Sequence, residues 1–238
     1  MQTFAQIKKR AVKRKGGEKV LADLVGKAPD ERQLAKMADD RILAEMTRRI
    51  FCSGFSWRVV DQKWPGFETA FHGFDPRFLA FQPDEYWDEL TSDTRIVRHG
   101  AKIMSVRHNA AVVLDVAKEH KSAGRFLANW PSDDLVGLLR WMGKVPKRLG
   151  GNTGQYFLRF IGKDSFLLTR DVVACLKDAG LEIADEPRSK RDLENIQNQF
   201  NAWQTESGMA YAQLSKICGL SVGENHSASE LLARQRGA

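Results

Sequence analysis

Cysteine is nearly missing from this 238-residue chain. There are three, Cys52, Cys175 and Cys218, far apart and with no C-x-x-C pair among them. That spacing excludes a disulfide framework. With His72, His99, His108, His120 and His226 forming no ligand cluster beside them, it also argues against a zinc site. The plain reading is small buried thiols in a reducing compartment. Long apolar runs are absent too: none approaches the ~18 residues of a membrane span, and the basic N-terminus has no apolar stretch of a secretory signal. A cytoplasmic location without a membrane partner is expected. Alternating patterns of the β type are scarce and there is no internal repeat, so the sequence reads as all-α.

What is present is positive charge on a helical background. Lys and Arg total 37 against 30 Asp and Glu, a net charge of +7 and a pI near 9.4. That suits a polyanionic partner without naming it. At 42% hydrophobic the chain can bury a core. The first residues carry Lys8-Lys9-Arg10 and Lys13-Arg14-Lys15, either a solvated helix face or a contact for a polyanion, with Gly16-Gly17 as a break. From about Asp30 to Cys52, apolar residues recur at three and four (Leu34, Met37, Ile42, Leu43, Met46). A helix starting near Phe55 is expected to stop at a Pro65-Gly66 turn. Phe67, Phe71 and Phe74 form an aromatic ladder, after which Asp75 caps a helix with Pro76 at its first position. Ile96 to His120 reads as one long helix whose stripe is Ile103, Val106, Ala110, Val113 and Ala117, with Arg98 and Lys102 one turn apart on one side. Further helices are expected over Thr169–Leu181, from about Asp192, and around Ala212–Leu220.

The most informative stretch is Leu149-Gly150-Gly151-Asn152-Thr153-Gly154, between two helical patterns and directly after Lys147-Arg148. Glycine frees backbone N–H groups to meet an anion, and helix N-termini favour negative charge. A DNA phosphate is one natural ligand, gripped without sequence readout. An ordinary helix–helix turn uses glycine too; the two flanking cations tilt the reading toward phosphate.

Several segments resemble the DNA-3-methyladenine glycosylase I family of the helix-hairpin-helix glycosylase superfamily. Gly54-Phe55-Ser56-Trp57 resembles the family's Gly-Leu-Ser-Trp, and Phe71-His72-Gly73-Phe74-Asp75-Pro76 its Phe-x-x-Phe-Asp-Pro. Ile96-Val97-Arg98-His99-Gly100-Ala101-Lys102-Ile103 resembles its Ile-Ile-Arg-(His/Asn)-x-x-Lys-Ile, and Asn109-Ala110 and Ala179-Gly180-Leu181 continue the match in order. The resemblance implies a two-lobed, all-α protein. A basic helical extension would cover 1–29, a glycosylase-like core 30–186 with the helix-hairpin-helix near 135–162, and a helical tail 187–238. It implies a monomeric, monofunctional enzyme of base-excision repair that binds double-stranded DNA, everts an alkylated purine of the 3-methyladenine type and hydrolyses its glycosidic bond. No cofactor is expected, and no metal either, because the family's zinc ligands are missing here, consistent with the cysteine count. A catalytically silent duplex-binding protein of the same fold is the alternative.

Carried over residue by residue, the resemblance puts Trp57, Ser56 and Arg49 at the base pocket and Gly54 and Phe55 in the gap left in the duplex. Trp57 reads equally as a core aromatic. Gly150, Gly151, Asn152, Thr153, Gly154, Lys147, Arg148, Arg98 and Lys102 are the DNA contacts. Two departures stand out. The family's pocket glutamate lies eight residues before its motif tryptophan, where this chain has Arg49. The catalytic aspartate of other superfamily members falls at Thr169, with Asp171 two residues late, about 200° around a helix. The replacement acids are Glu45 and Asp171, although Glu45 and Arg49 at i, i+4 can simply pair. Tyr156 stands within a residue of the lysine of bifunctional relatives, so Schiff-base strand cleavage is not expected.

Overall fold

The computed structural model describes residues 1–236, and these are helical with no strand. In chain order the helices are α1 (Phe4–Lys15), α2 (Glu18–Val25), α3 (Glu31–Leu34), α4 (Asp39–Cys52), α5 (Trp57–Ala70), α6 (Pro76–Leu79), α7 (Asp84–Ser92), α8 (Gly100–His120), α9 (Ala123–Asn129), α10 (Leu135–Lys144), α11 (Gly151–Phe160), α12 (Arg170–Asp178), α13 (Lys190–Ser207), α14 (Tyr211–Ser221) and α15 (Ala228–Arg236). No helix among them is long and apolar enough to cross a membrane.

The chain divides into two compact units. A central unit comprises 30–131 and 137–163; a terminal unit comprises 1–29, 132–136 and the chain from Asp164 onward. The extension and the tail, read from the sequence as separate segments, therefore lie in one unit together with residues 164–186.

In the terminal unit, Phe4, Ile7 and Ala11 of α1 are buried in a core shared with Cys175, Leu176, Phe200, Trp203 and Ile217. Arg10, Arg14 and Lys15 of α1 are engaged within the unit, whereas Lys9 and Lys13 stay exposed. Arg10 pairs with Asp178 at 2.5 Å, Arg14 donates to the carbonyls of Val222 and Gly223, and Lys15 donates to Asn225 and His226. Gly16, at φ +88, turns the chain into α2. Thr169 caps α12, its hydroxyl accepting from Val172 N.

In the central unit, α4 and the stripe of α8 form the core floor: Ile42, Leu43, Ile50, Ile103, Val106, Ala110 and Val113 are buried together. Two sequence expectations are corrected here. Pro65-Gly66 is not a turn, because α5 runs through both residues. Pro65 removes one helical hydrogen bond, worth ~3 kcal/mol with its steric cost, but Trp64 stacks on Phe67 and Phe74 at 5.4 Å, and Phe71 on Phe74 at the same distance. Burying this ladder outweighs the break. Gly66 is required by close approach instead: a Cβ there would lie 2.4 Å from the Arg95 carbonyl oxygen. The long helix starts at Gly100 rather than Ile96, so Arg98 precedes it. Asp75 does cap α6, accepting from Arg77 N with Pro76 at the first position. Lys163, wholly buried, ties the unit together by donating to the carbonyls of Ala128 and Trp130 and pairing with Glu31 at 2.7 Å.

Candidate active site

The C-terminal end of α4 and the start of α5 are joined by Ser53-Gly54-Phe55-Ser56. Gly54 adopts φ +77, a conformation that costs other residues energy. The bend leaves Phe55 exposed and brings its ring to 6.3 Å from His99. Lys102, on the first turn of α8, reaches back under this bend. Its Nζ donates to the carbonyls of Phe51 at 3.2 Å and Ser53 at 2.5 Å, and it lies 4.5 Å from the Phe55 ring centroid. A cation at carbonyls that end a helix complements the helix dipole. Burial lowers the Lys102 pKa, with the charge of Arg148 adding to the effect.

Helix α8 also holds the glycine bend. Asn109, wholly buried, accepts from Lys147 N at 2.7 Å and donates to Lys147 O at 3.1 Å, and His108 meets Val145 O at 2.9 Å. Arg148 is placed at φ +62, a strained backbone for an arginine, and its Nε donates to Ala101 O at 3.1 Å. Gly151, Asn152, Thr153 and Gly154 are not a loop but the first turn of α11, whose leading N–H groups have no partner within the helix. Gly151 and Asn152 are exposed. Gly154 is buried, where a Cβ would meet the Leu149 carbonyl oxygen at 2.3 Å.

Between these two bends lies a cleft of about 410 Å³ lined by Ile50, Ser53, Gly54, Phe55, His99, Lys102, Arg148 and Gly150. Ligand pockets of about 300–1,000 Å³ are usual. Residues expected to wedge the duplex, Gly54 and Phe55, thus share one basic hollow with Lys102, Arg148 and Gly150. Arg98 is exposed beside it and does not line it, and the expected two-charge face with Lys102 is absent because Lys102 is buried under Phe55.

Trp57, Ser56 and Arg49 make a second cluster. Arg49 is buried on α4, its Nε 2.6 Å from Glu45 Oε1 one turn earlier. Its guanidinium carbon lies 4.8 Å from the Trp57 ring centroid and 3.8 Å from that of Phe160. Tyr156 meets Trp57 edge to face at 5.5 Å. Burial raises the Glu45 pKa, against the pull of Arg49 and Arg48, and lowers that of Arg49, against the pull of Glu45. Trp57 and Phe160 remain 37% and 42% exposed. Trp57 is therefore no ordinary core aromatic. Ser56 leads into α5 without a side-chain cap bond.

Asp171 lies apart from this cluster in sequence and unit. It is on α12 in the terminal unit, where its carboxylate abuts the turn at Gly223: a Cβ there would be 2.5 Å from Oδ1. The sequence does not show that Tyr156 and Phe160 meet Trp57 and Arg49, or that Asn109 holds the glycine bend. Tyr156 and Phe160 sit four apart on α11, which puts them on one helix face, and that spacing was the available signal. No group of three or more His, Cys, Asp or Glu able to hold a metal exists among the described residues.

Residues 32–147 match the model of the methyladenine glycosylase family. A 64-residue stretch, 27% of this chain, is 34% identical to DNA-3-methyladenine glycosylase 1 of Escherichia coli (strain K12), and spans 34% of that protein, about a third of its length. Two solved structures align over most of the chain at low identity. A 3-methyladenine DNA glycosylase I covers 81% of this chain and 82% of its own, at 16% identity and a TM-score of 0.39. A glutamate-to-glutamine variant of 3-methyladenine DNA glycosylase I from Staphylococcus aureus covers 80% and 81%, at 13% identity and a TM-score of 0.37.

Proposed function

We propose that this chain, similar to the methyladenine glycosylases across residues 32–147, is a monofunctional DNA glycosylase acting on alkylated purines in base-excision repair. The observation that carries the reading is convergence. Three motifs far apart in sequence, Gly54-Phe55, His99 with Lys102, and Arg148 with Gly150, line one basic cleft. An enzyme that everts a nucleotide needs such a combination: cations and free N–H groups for the backbone, and an apolar wedge for the emptied stack.

In this reading the first turn of α11, with Lys147 and Arg148, holds a phosphate, and Phe55 enters the gap. The everted base meets the aromatic surface of Trp57, Tyr156 and Phe160. Water attacks C1′ as the bond to the base nitrogen breaks; the hydroxyl stays on the sugar and the base leaves with a proton. Glu45 is the acid beside Trp57 and orients that water. Much of the acceleration comes from positioning the water and the everted base. Lys102 is engaged by two carbonyls and serves as a donor at the cleft wall, not as a nucleophile.

Base release from an alkylated duplex, measured beside gel-shift binding to a duplex carrying an abasic analogue, tests the reading. The protein is expected to do both, and Trp57→Ala to lose release by at least about tenfold more than it loses affinity. Binding with no release from any alkylated duplex would make the protein a silent damage binder. Equal loss of both in the variant would return Trp57 to a packing role.

A further inference from the structure

The buried pair on α4 is incompletely satisfied. Arg49 Nε and Glu45 Oε1 are 2.6 Å apart, yet neither has a hydrogen bond of acceptable geometry, and Arg49 Nη1 has none at all. All three atoms are closed to solvent. Arg49 is 4% exposed, and a buried guanidinium is costly unless its protons are matched. Such a group requires an explanation, and a missing ligand is one. The rings lying against it, Trp57 and Phe160, are the partly exposed ones, so side-chain rotation opens the guanidinium to a base without disturbing the core.

The geometry points to Arg49 as the specificity-determining residue of this site, selecting purine adducts that carry no positive charge and present a hydrogen-bond acceptor. The inference rests on the glycosylase reading and narrows its substrate class. A positively charged base is held by an unpaired carboxylate and by open aromatic faces. Arg49 already occupies both: it neutralises Glu45 and lies over the rings of Trp57 and Phe160. What remains on offer is the unmatched Nη1–H donor. Arginine donors suit the acceptor edge of a purine, N7 and the 6-oxygen. A purine alkylated to a cation is a poorer acceptor and brings a second positive charge to the guanidinium.

The test is equilibrium binding to two duplexes whose target sugar is a 2′-fluoroarabinoside, which resists base loss. One carries 1,N6-ethenoadenine, an uncharged adduct, and the other N7-methylguanine, a cation. The protein is expected to bind the uncharged adduct about tenfold or more tightly, the scale of one hydrogen bond to a charged group. Arg49→Gln should erase that preference. The double variant Glu45→Gln/Arg49→Gln strands no buried charge and should behave the same way if the single variant fails to fold. Equal or tighter binding of the cationic duplex overturns the inference, as does a preference that survives the double variant. The two readings fail separately. Preference in binding with no base release on cleavable duplexes leaves the specificity and removes the catalysis; release without preference does the reverse.

Discussion

Glu45 shows how far a residue's chemistry depends on its surroundings. Its spacing from Arg49 predicts an ion pair, and the pair exists. What the spacing does not reveal is that burial, not the partner, dominates the carboxyl: its pKa is raised in spite of Arg49. If an ionised Glu45 orients the attacking water, base release should fail on the acid side at a pH above the usual carboxylate range of about 4.3, because protonation of the raised group removes the acceptor. A pH–rate profile of the protein and of Glu45→Gln checks this. The variant should lose most of its rate, and what remains should lack that acid limb; an unchanged limb would assign it to another group. Trp57 was visible in the sequence because a motif surrounded it. Tyr156 and Phe160, about a hundred residues later, were not: no local pattern says which distant aromatic edge a given indole meets.

At the scale of elements, periodicity identified α4, α8, α11 and α12 because their apolar stripes carry the core. It misjudged α5, where a Pro-Gly pair usually ends a helix, because the energy that carries α5 through Pro65 lies in aromatic stacking with residues beyond the helix. The glycine bend was legible as a bend, but its division of labour was not. Gly154 is required by packing, whereas Gly150 has φ −78 and nothing nearer than 3.6 Å to an added Cβ. Gly154→Val should therefore destabilise the protein by about 1–3 kcal/mol or more, while Gly150→Ala should stay within about 0.5 kcal/mol. Gly150→Phe, which fills the cleft it lines, should weaken duplex binding with little change in melting temperature. Thermal unfolding and gel shifts on the three variants decide it; equal melting of the Gly154 and Gly150 variants would refute the assignment.

For the whole molecule, the net charge of +7 suggests a polyanion, yet it overstates the cations available for one. Arg10, Arg14 and Lys15 are engaged within the terminal unit and Lys102 beneath Phe55. Duplex affinity should fall linearly on a log–log plot against salt. Lys147→Ala and Arg148→Ala should each reduce the slope by about one and weaken all sequences alike; an unchanged slope would remove both from the phosphate contacts. The partition into units was the least legible property, since contacts between residues near 10 and near 220 leave no trace in local periodicity.

That partition has a consequence for biosynthesis. Phe4 N and Gln2 N are held by Glu206 and Ala179, so α1 cannot complete its docking until residues 179 and 206 have been synthesised. The central unit, by contrast, holds most of its contacts within a contiguous stretch and can condense early. Until residues 179 and 206 follow, the apolar face of Phe4, Ile7 and Ala11 is incompletely covered, and this late closure of a core built from distant segments is where nascent chains are most exposed to aggregation.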